Sequence, residues 1–361
     1  MKHSLASRSS IGCALLALFA GVACSGSSDD AGGGKGKEDA SIPGDGGDGG
    51  VAGSGGGGGQ NDSGPNDSGH DSAPSTGWSL VASPAELRLY RLAGDARGVW
   101  ASGDRHVSGG RVFEAGRLSE GGFEGVYEKH SSDTVAPNFF IQALAPVGAR
   151  TAVIGGQMFV LIIGEGEPRA VTSVTSDAKT AFAFSDRDVW ISTRHGSLTH
   201  FNGTTDDRSR GLADSGDVQA MWGTSGMLFF ATTEGLRGVS LPIPLGWNEP
   251  STEELSGSFA DVDGALSVGF AVGDAGIAGR YEGGSWTSIP TGTTVDLTAV
   301  AVASGDNAWA AGERTLLHWD GSRFTQVQEE GMPTGEITDL AAEPDGTLWL
   351  AASGQVYRRR P

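Results

Sequence analysis

Beyond residue 77 the apolar residues of this chain fall in short runs, with large and small side chains alternating, and each run ends in Gly, Asp, Asn or Ser. No stretch there repeats apolar residues at the helical period, so the pattern predicts short β-strands joined by tight turns. One phrase recurs: an aromatic or apolar residue, two or three small ones, a polar turn, then a second apolar strand. It reads Val99-Trp100-Ala101-Ser102-Gly103 at first, then Ala152-Val153-Ile154-Gly155, Trp190-Ile191-Ser192-Thr193 and Phe230-Ala231-Thr232-Thr233. The later copies are Phe270-Ala271-Val272-Gly273, Trp309-Ala310-Ala311-Gly312 and Trp349-Leu350-Ala351-Ala352. The leading residues stand at 100, 152, 190, 230, 270, 309 and 349, at intervals of 52, 38, 40, 40, 39 and 40.

Forty residues accommodate four short strands and four turns, which is one blade of a β-propeller. The clearest copy shows all four strands, at 297–303, 308–311, 315–319 and 324–327, with Asp320-Gly321 after the third. Asp-Gly suits a hairpin turn whose central residues both take positive φ. Asn202-Gly203 and Glu282-Gly283 occupy the same place, and the fourth strand opens on an aromatic at Phe123, Trp247, Trp286 and Phe324. The expected fold is therefore all-β, a single propeller of about seven four-stranded blades; the long first interval leaves six or eight open. The next aromatic of the fourth-strand series falls due near position 364, beyond Pro361. Gly77-Trp78-Ser79-Leu80-Val81 has no blade strands before it and matches Ser285-Trp286-Thr287-Ser288-Ile289. The N-terminal strand is thus expected to complete the last blade, which removes an unpaired sheet edge.

Residues 335–357, GEITDLAAEPDGTLWLAASGQVY, resemble the short repeat of bacterial two-component-regulator propellers, in which Asp-Gly precedes a Leu-Trp strand. Asp345-Gly346 and Leu348-Trp349 fill those places. The resemblance implies a sensing or docking domain.

The first 76 residues have a different character. Residues 1–10 are polar with Lys2 and Arg8, and residues 11–22 are an apolar run too short to span a bilayer. It has the length of a secretory h-region and closes on Ala20-Gly21-Val22-Ala23 before Cys24. This resembles a bacterial lipoprotein signal, with Gly21 where that pattern prefers Leu. The resemblance implies removal of residues 1–23, lipidation of Cys24, and sorting to the outer membrane, because Ser25 rather than Asp follows the cysteine. The same small residues suit an ordinary signal peptidase, which would leave Cys24 a free thiol. Residues 24–76 are Gly, Ser, Asp, Asn and Pro with almost no large apolar side chain. Such a segment cannot bury enough surface to offset its ordering entropy, so it reads as a tether with a span of roughly 40 Å.

Of the formal net charge of −19, the first 24 residues carry +2 and residues 25–77 carry −7, which leaves −14 for the rest. That charge excludes nucleic acid as a natural partner. Both cysteines, Cys13 and Cys24, precede the repeats, so the repeat region has neither disulfide nor thiol, and its Cys/His content offers no structural zinc site.

No catalytic motif appears. There is no Gly-x-Ser-x-Gly elbow, no His-Glu-x-x-His and no phosphate-cradling loop. Residues 343–349 come closest to a sialidase-type Asp box but carry an extra Leu and lack the Ser, so they read as a turn into a strand. His200 and His318 occupy one repeated third-strand position in different blades, which makes them scaffold rather than joint metal ligands. Candidate binding residues are those of the turns between second and third strands, on one rim of the ring. They are Asp104, Arg105 and His106; Arg194 and His195; Glu234; Asp274; and Glu313 with Arg314. The first copy is longest, at 103–110 and 127–138, and lengthened loops on a rigid scaffold are common binding places. The expectation is a monomeric cell-envelope lipoprotein whose propeller, without cofactor or catalysis, binds a protein or glycan and meets the membrane through Cys24. The alternative is a hydrolase or lyase on the same rim, with calcium at the channel mouth as one form of it.

Overall fold

The structure, a computed structural model, describes residues 77–361 except 82, 133–140, 157–158, 173–176, 194–195, 205, 209–215 and 243–250. The expected signal segment, Cys24 and the tether lie outside the described residues, as do Trp247, Arg194 and His195. Among the described residues, 28 strands form seven sheets of four antiparallel strands each. The one helical element among them is the 3₁₀ turn Asp274–Gly276.

The innermost strands are Arg88–Asp95, Ala143–Gly148, Ala178–Ser185, Val218–Thr224, Phe259–Ala265, Ala299–Ser304 and Ile337–Ala342. We number the blades 1 to 7 in that order. Each innermost strand packs on that of the next blade, and the seventh on the first, so the sheets close into a ring around a central channel. The chain is a seven-bladed β-propeller, and the six- and eight-bladed alternatives fall away.

Seven apolar clusters hold the ring, one at each interface between neighbouring blades. The aromatic that leads each second strand faces the following blade: Trp100 enters the cluster of blades 1 and 2, Trp309 that of blades 6 and 7, and Trp349 that of blades 7 and 1. Burying such a side chain is worth about 2–3 kcal/mol, so one residue per repeat supplies much of each interface. In two blades the sequence register is off by one. Val153, not Ala152, faces blade 3, and Phe229, not Phe230, faces blade 5. Phe230 points back at blade 3, because successive residues of a strand project to opposite faces.

The third strand supplies a partner for these aromatics. His200 stacks on Trp190 at 4.1 Å and His318 on Trp309 at 4.2 Å, while the Arg358 guanidinium lies 5.3 Å from the Trp349 ring centre. His200 Nε2 meets Asp188 Oδ1 at 2.8 Å and His318 Nε2 meets Asn307 Oδ1 at 3.0 Å. The two histidines are therefore a repeated scaffold feature, each occupied within its own blade.

Trp78–Leu80 pairs antiparallel with Gln355–Arg359, with Trp78 opposite Arg359, and completes blade 7. The turn chemistry departs from expectation at Asp320-Gly321. Only Gly321 takes positive φ, at 93°. Asp320 instead accepts from the amides of Ser322 (2.9 Å) and Arg323 (3.0 Å), which holds its carboxyl down at about 2, the Ser322 hydroxyl contributing most. A two-residue turn occurs at Gly283-Gly284, where both φ angles are positive.

Candidate functional site

The innermost strands share a sequence feature that a regular strand lacks. At or just before the start of each stand two buried apolar residues three positions apart: Leu89 and Leu92, Ile141 and Leu144, Ala178 and Ala181, Val218 and Met221, and so on to Ile337 and Leu340. Strict alternation would place them two apart. The extra residue is a β-bulge. Pairing with the second strand skips one residue between Leu89 and Arg91, and likewise in blades 3, 4, 5 and 7. In blades 2 and 6 the amides of Gln142 and Thr298 bond to Gly155 O (3.0 Å) and Ala311 O (2.7 Å), the carbonyl-bearing partners of Ala143 and Ala299.

A bulge re-aims one side chain, and seven bulges at one level make a ring. Blades 1–4 contribute Tyr90, Gln142, Lys179 and Gln219; blades 5–7 contribute Ala260, Thr298 and Thr338. None of the seven is buried, although the apolar residues on either side are. One arc of the mouth is thus long and polar, and the other is small.

The polar arc opens on a cavity of about 510 Å³ lined by Arg88, Tyr90, Arg91, Asp104, Gln142, Lys179 and Asp217. Lys179 Nζ lies 3.5 Å from Asp217 Oδ2, and Arg91 Nη1 lies 3.9 Å from Asp339 Oδ2. Asp104 is 1% exposed; its Oδ2 makes no hydrogen bond and has Arg111 Nη1 at 3.7 Å. Burial pushes the Tyr90 phenol well up, the Asp104 charge adds to that, and Arg91, Arg111 and Arg88 oppose it. Tyr90 therefore sits inside a charged cluster.

Further along the axis, a cavity of about 630 Å³ runs between the innermost strands. Four carboxyls stand in its wall; Asp95 pairs with Arg97, and the other three meet backbone amides. Asp339 Oδ2 accepts from Leu92 N and its Oδ1 from Leu340 N, both at 2.9 Å. Asp261 accepts from Val300 N (2.7 Å) and Val262 N (2.9 Å), and Asp263 from Val302 N (2.8 Å). Each of these three carboxyls ties its strand to the amide of the next blade. Burial raises all three: Asp261 to about 8, with the charge of Asp339 adding, Asp263 to about 7, and Asp339 to about 6. Perturbed carboxyls in a channel are a mark of catalytic sites. Here both oxygens of Asp261 and of Asp339 are engaged by backbone amides, which is a structural use. Among the described residues no three His, Cys, Asp or Glu side chains are grouped as a metal site requires.

The sequence-predicted residues are dispersed. Asp104, Arg105 and His106 are not in a turn. They belong to the strand Gly98–Val107, which continues to a hairpin with Gly110–Ser119. Second strands in blades 2–6 have six residues and this one has ten. The extra four lift blade 1 above the rim by roughly 13 Å at the rise of a strand. Alternation then separates the trio. Asp104 faces the mouth, whereas Arg105 turns to the other face and donates to Glu114 Oε1 (2.5 Å) and Glu128 Oε2 (3.4 Å). His106 is exposed. Glu234, Asp274, Glu313 and Arg314 are exposed in the turns where they were expected. The ring of bulge residues escaped the sequence reading; its signal was the three-residue apolar spacing.

No family model matches the chain, and no curated protein matches it by sequence. Solved structures share the fold. YCF48 bound to D1 peptide is 12% identical with a TM-score of 0.58, covering 79% of this chain and 95% of that one. The WD40 β-propeller domain of Doa1 is 11% identical with a TM-score of 0.54, covering 78% and 96%. The β-propeller domain of Myceliophteria thermophila Cps50 (Swd1) is 13% identical with a TM-score of 0.59, covering 78% and 99%. At such identities the likeness establishes architecture alone.

Proposed function

We propose that this chain is an exported, lipid-anchored recognition module whose propeller binds a protein partner, without catalysis, on the rim where blade 1 stands tall. The observation that carries this is the polar arc of the mouth, Tyr90 to Gln219, overlooked by the lengthened strands of blade 1. A rigid ring with one deep, charged mouth and a raised wall offers the concave, partly charged surface that protein recognition uses. A propeller of similar shape, YCF48, holds a D1 peptide, which supports the reading by analogy of fold. A glycan reading asks for an aromatic face laid open at the rim. Tyr90 is the one aromatic of the ring, and it is half-buried. An enzyme reading asks for free acid and base groups, whereas Asp261 and Asp339 are engaged by amides.

The leader supports the address: an apolar run of secretory length, the small residues before Cys24, and a Gly/Ser/Asp-rich segment after it. Lipidation at Cys24 would hold the ring at the envelope through residues 25–76, on the outer membrane given Ser25.

Site-specific photo-cross-linking in the source cell tests the docking face. A cross-linker at Gln219 or His106 should yield a discrete protein adduct, and one at Leu266, at the opposite end of the channel, should not. Adducts of equal strength from Leu266, or none from the rim, would end the reading. Cys24→Ala should move the protein from the detergent phase to the aqueous phase; unchanged partitioning would remove the anchor.

A further inference from the structure

We infer that the mouth cavity of blades 1 to 4 is a binding site for an acidic peptide segment, seated with its carboxylate toward Arg88, Arg91 and Lys179 and a backbone N–H on Asp104. This rests on the rim being the docking face.

Three cationic side chains line one 510 Å³ cavity in a chain of net charge −19. Among the described residues, none of the three is held in a tight ion pair. Arg91 has only its 3.9 Å approach to Asp339, and Lys179 its 3.5 Å approach to the exposed Asp217. Arg88 is exposed, opposite Asp104 across the strand pair. Guanidinium groups match a carboxylate in a planar, two-bond geometry, and Lys adds a mobile point charge. The acidity of the whole ring does not oppose this at contact. Charges more than about 8 Å away are largely screened at physiological salt, so the nearest cations decide.

The buried carboxylate narrows the ligand class. The Asp104 carboxylate lines the cavity wall, its buried Oδ2 having Arg111 Nη1 at 3.7 Å but no hydrogen bond, so the group still calls for a donor. A bare sulfate brings only acceptors and would face that charge with its own, and inorganic phosphate, although its O–H could donate to Asp104, is a single small ion in a cavity of about 510 Å³. A peptide carries an N–H beside every acidic side chain, so one ligand satisfies both the cations and Asp104. The volume lies within the ~300–1,000 Å³ range of ligand pockets and admits a few residues of chain. The bulges make the site possible, because Tyr90, Gln142 and Lys179 project at the mouth only as extra residues in their strands.

The test is calorimetric titration of the full chain with a capped hexapeptide of alternating Glu and Gly, its Gln counterpart, and inorganic phosphate as competitor. Saturable 1:1 binding of the Glu peptide is expected, at least tenfold tighter than the Gln peptide. Arg88→Gln, at an exposed position, and Lys179→Gln should each weaken it about fivefold or more, with unchanged circular dichroism as the folding control. Asp104→Asn should also weaken it, whereas a simple anion site would tighten when that charge is removed. Equal affinity for the two peptides, indifference to Arg88→Gln and Lys179→Gln, or tighter binding by Asp104→Asn with phosphate competing at equal concentration would each overturn the inference. Rim cross-links without peptide binding would remove the acidic segment and leave the docking face. Peptide binding without rim cross-links would do the reverse.

Discussion

Asp339→Ala should cost this ring about 3 kcal/mol. Asp339 lies on the innermost strand of blade 7, is 8% exposed, and stands at the seam where the last blade meets the first. Its two oxygens accept from Leu92 N of blade 1 and Leu340 N of blade 7, each at 2.9 Å. Alanine would leave both amides without an acceptor. A buried group left unsatisfied costs about 1–3 kcal/mol, so two cost roughly 2–6. Removing a carboxyl that itself resists burial returns part of that, which places the net near the lower middle of the range. The Asn variant keeps one acceptor and turns an NH₂ toward the other amide, so about half the loss should remain. Urea unfolding read by far-UV circular dichroism and by tryptophan fluorescence measures this, with coincident transitions required for two-state treatment. Trp349 packs in the same seam and reports on it directly. A loss below about 0.5 kcal/mol for Asp339→Ala would falsify the view that these carboxyls staple blade to blade.

Three further outcomes are expected. Asp261, Asp263 and Asp339 hold protons more tightly folded than unfolded, with values of about 8, 7 and 6 against an ordinary 3.8. Their contribution is therefore fully present below pH 4 and lost as pH rises through 6 to 8, so Tm should fall between pH 6 and pH 8.5 by the equivalent of on the order of 2 kcal/mol; a Tm that rises over that interval sinks the assignment. Trp78→Ala removes the side chain that packs against blade 7 and donates to Glu329 Oε2 at 3.1 Å, and should lower stability by about 2 kcal/mol in chemical unfolding, with no effect meaning that the N-terminal strand is not part of the closure. Gly264→Ala would drive a methyl into the Trp222 indole and should cost about 1–3 kcal/mol, with loss of near-UV signal; a silent variant would show that the indole has room to move.

Much of the architecture was legible along the chain. The forty-residue interval, the second-strand aromatics and the unmatched Trp78 strand announced a ring closed by its own N-terminus. These features repeat because each blade must bury the same face against the next, and burial leaves a composition that can be read locally. The leads at 152 and 230 slipped by one for the same reason. Ala152-Val153 and Phe229-Phe230 each offer two adjacent apolar residues, and only the neighbouring blade decides which one it covers.

The mouth was another matter. Its residues come from strands about forty positions apart, and a single strand does not say which of its side chains will meet six others at the axis. The three-residue spacing of Leu89 and Leu92, or of Ile337 and Leu340, carried the bulge in plain view, but its meaning depends on the partner strand that the extra residue must skip. The trio of Asp104, Arg105 and His106 shows the converse. The sequence placed three charged or polar residues together, and the alternation of an unexpectedly continued strand sent Asp104 into the cavity and Arg105 to Glu114. By itself the sequence determined the repeat, its strand content and the ring, because those follow from short-range alternation and burial. Only the tertiary structure decided which side chains converge, because convergence is set by closure of the ring and the pairing of distant strands.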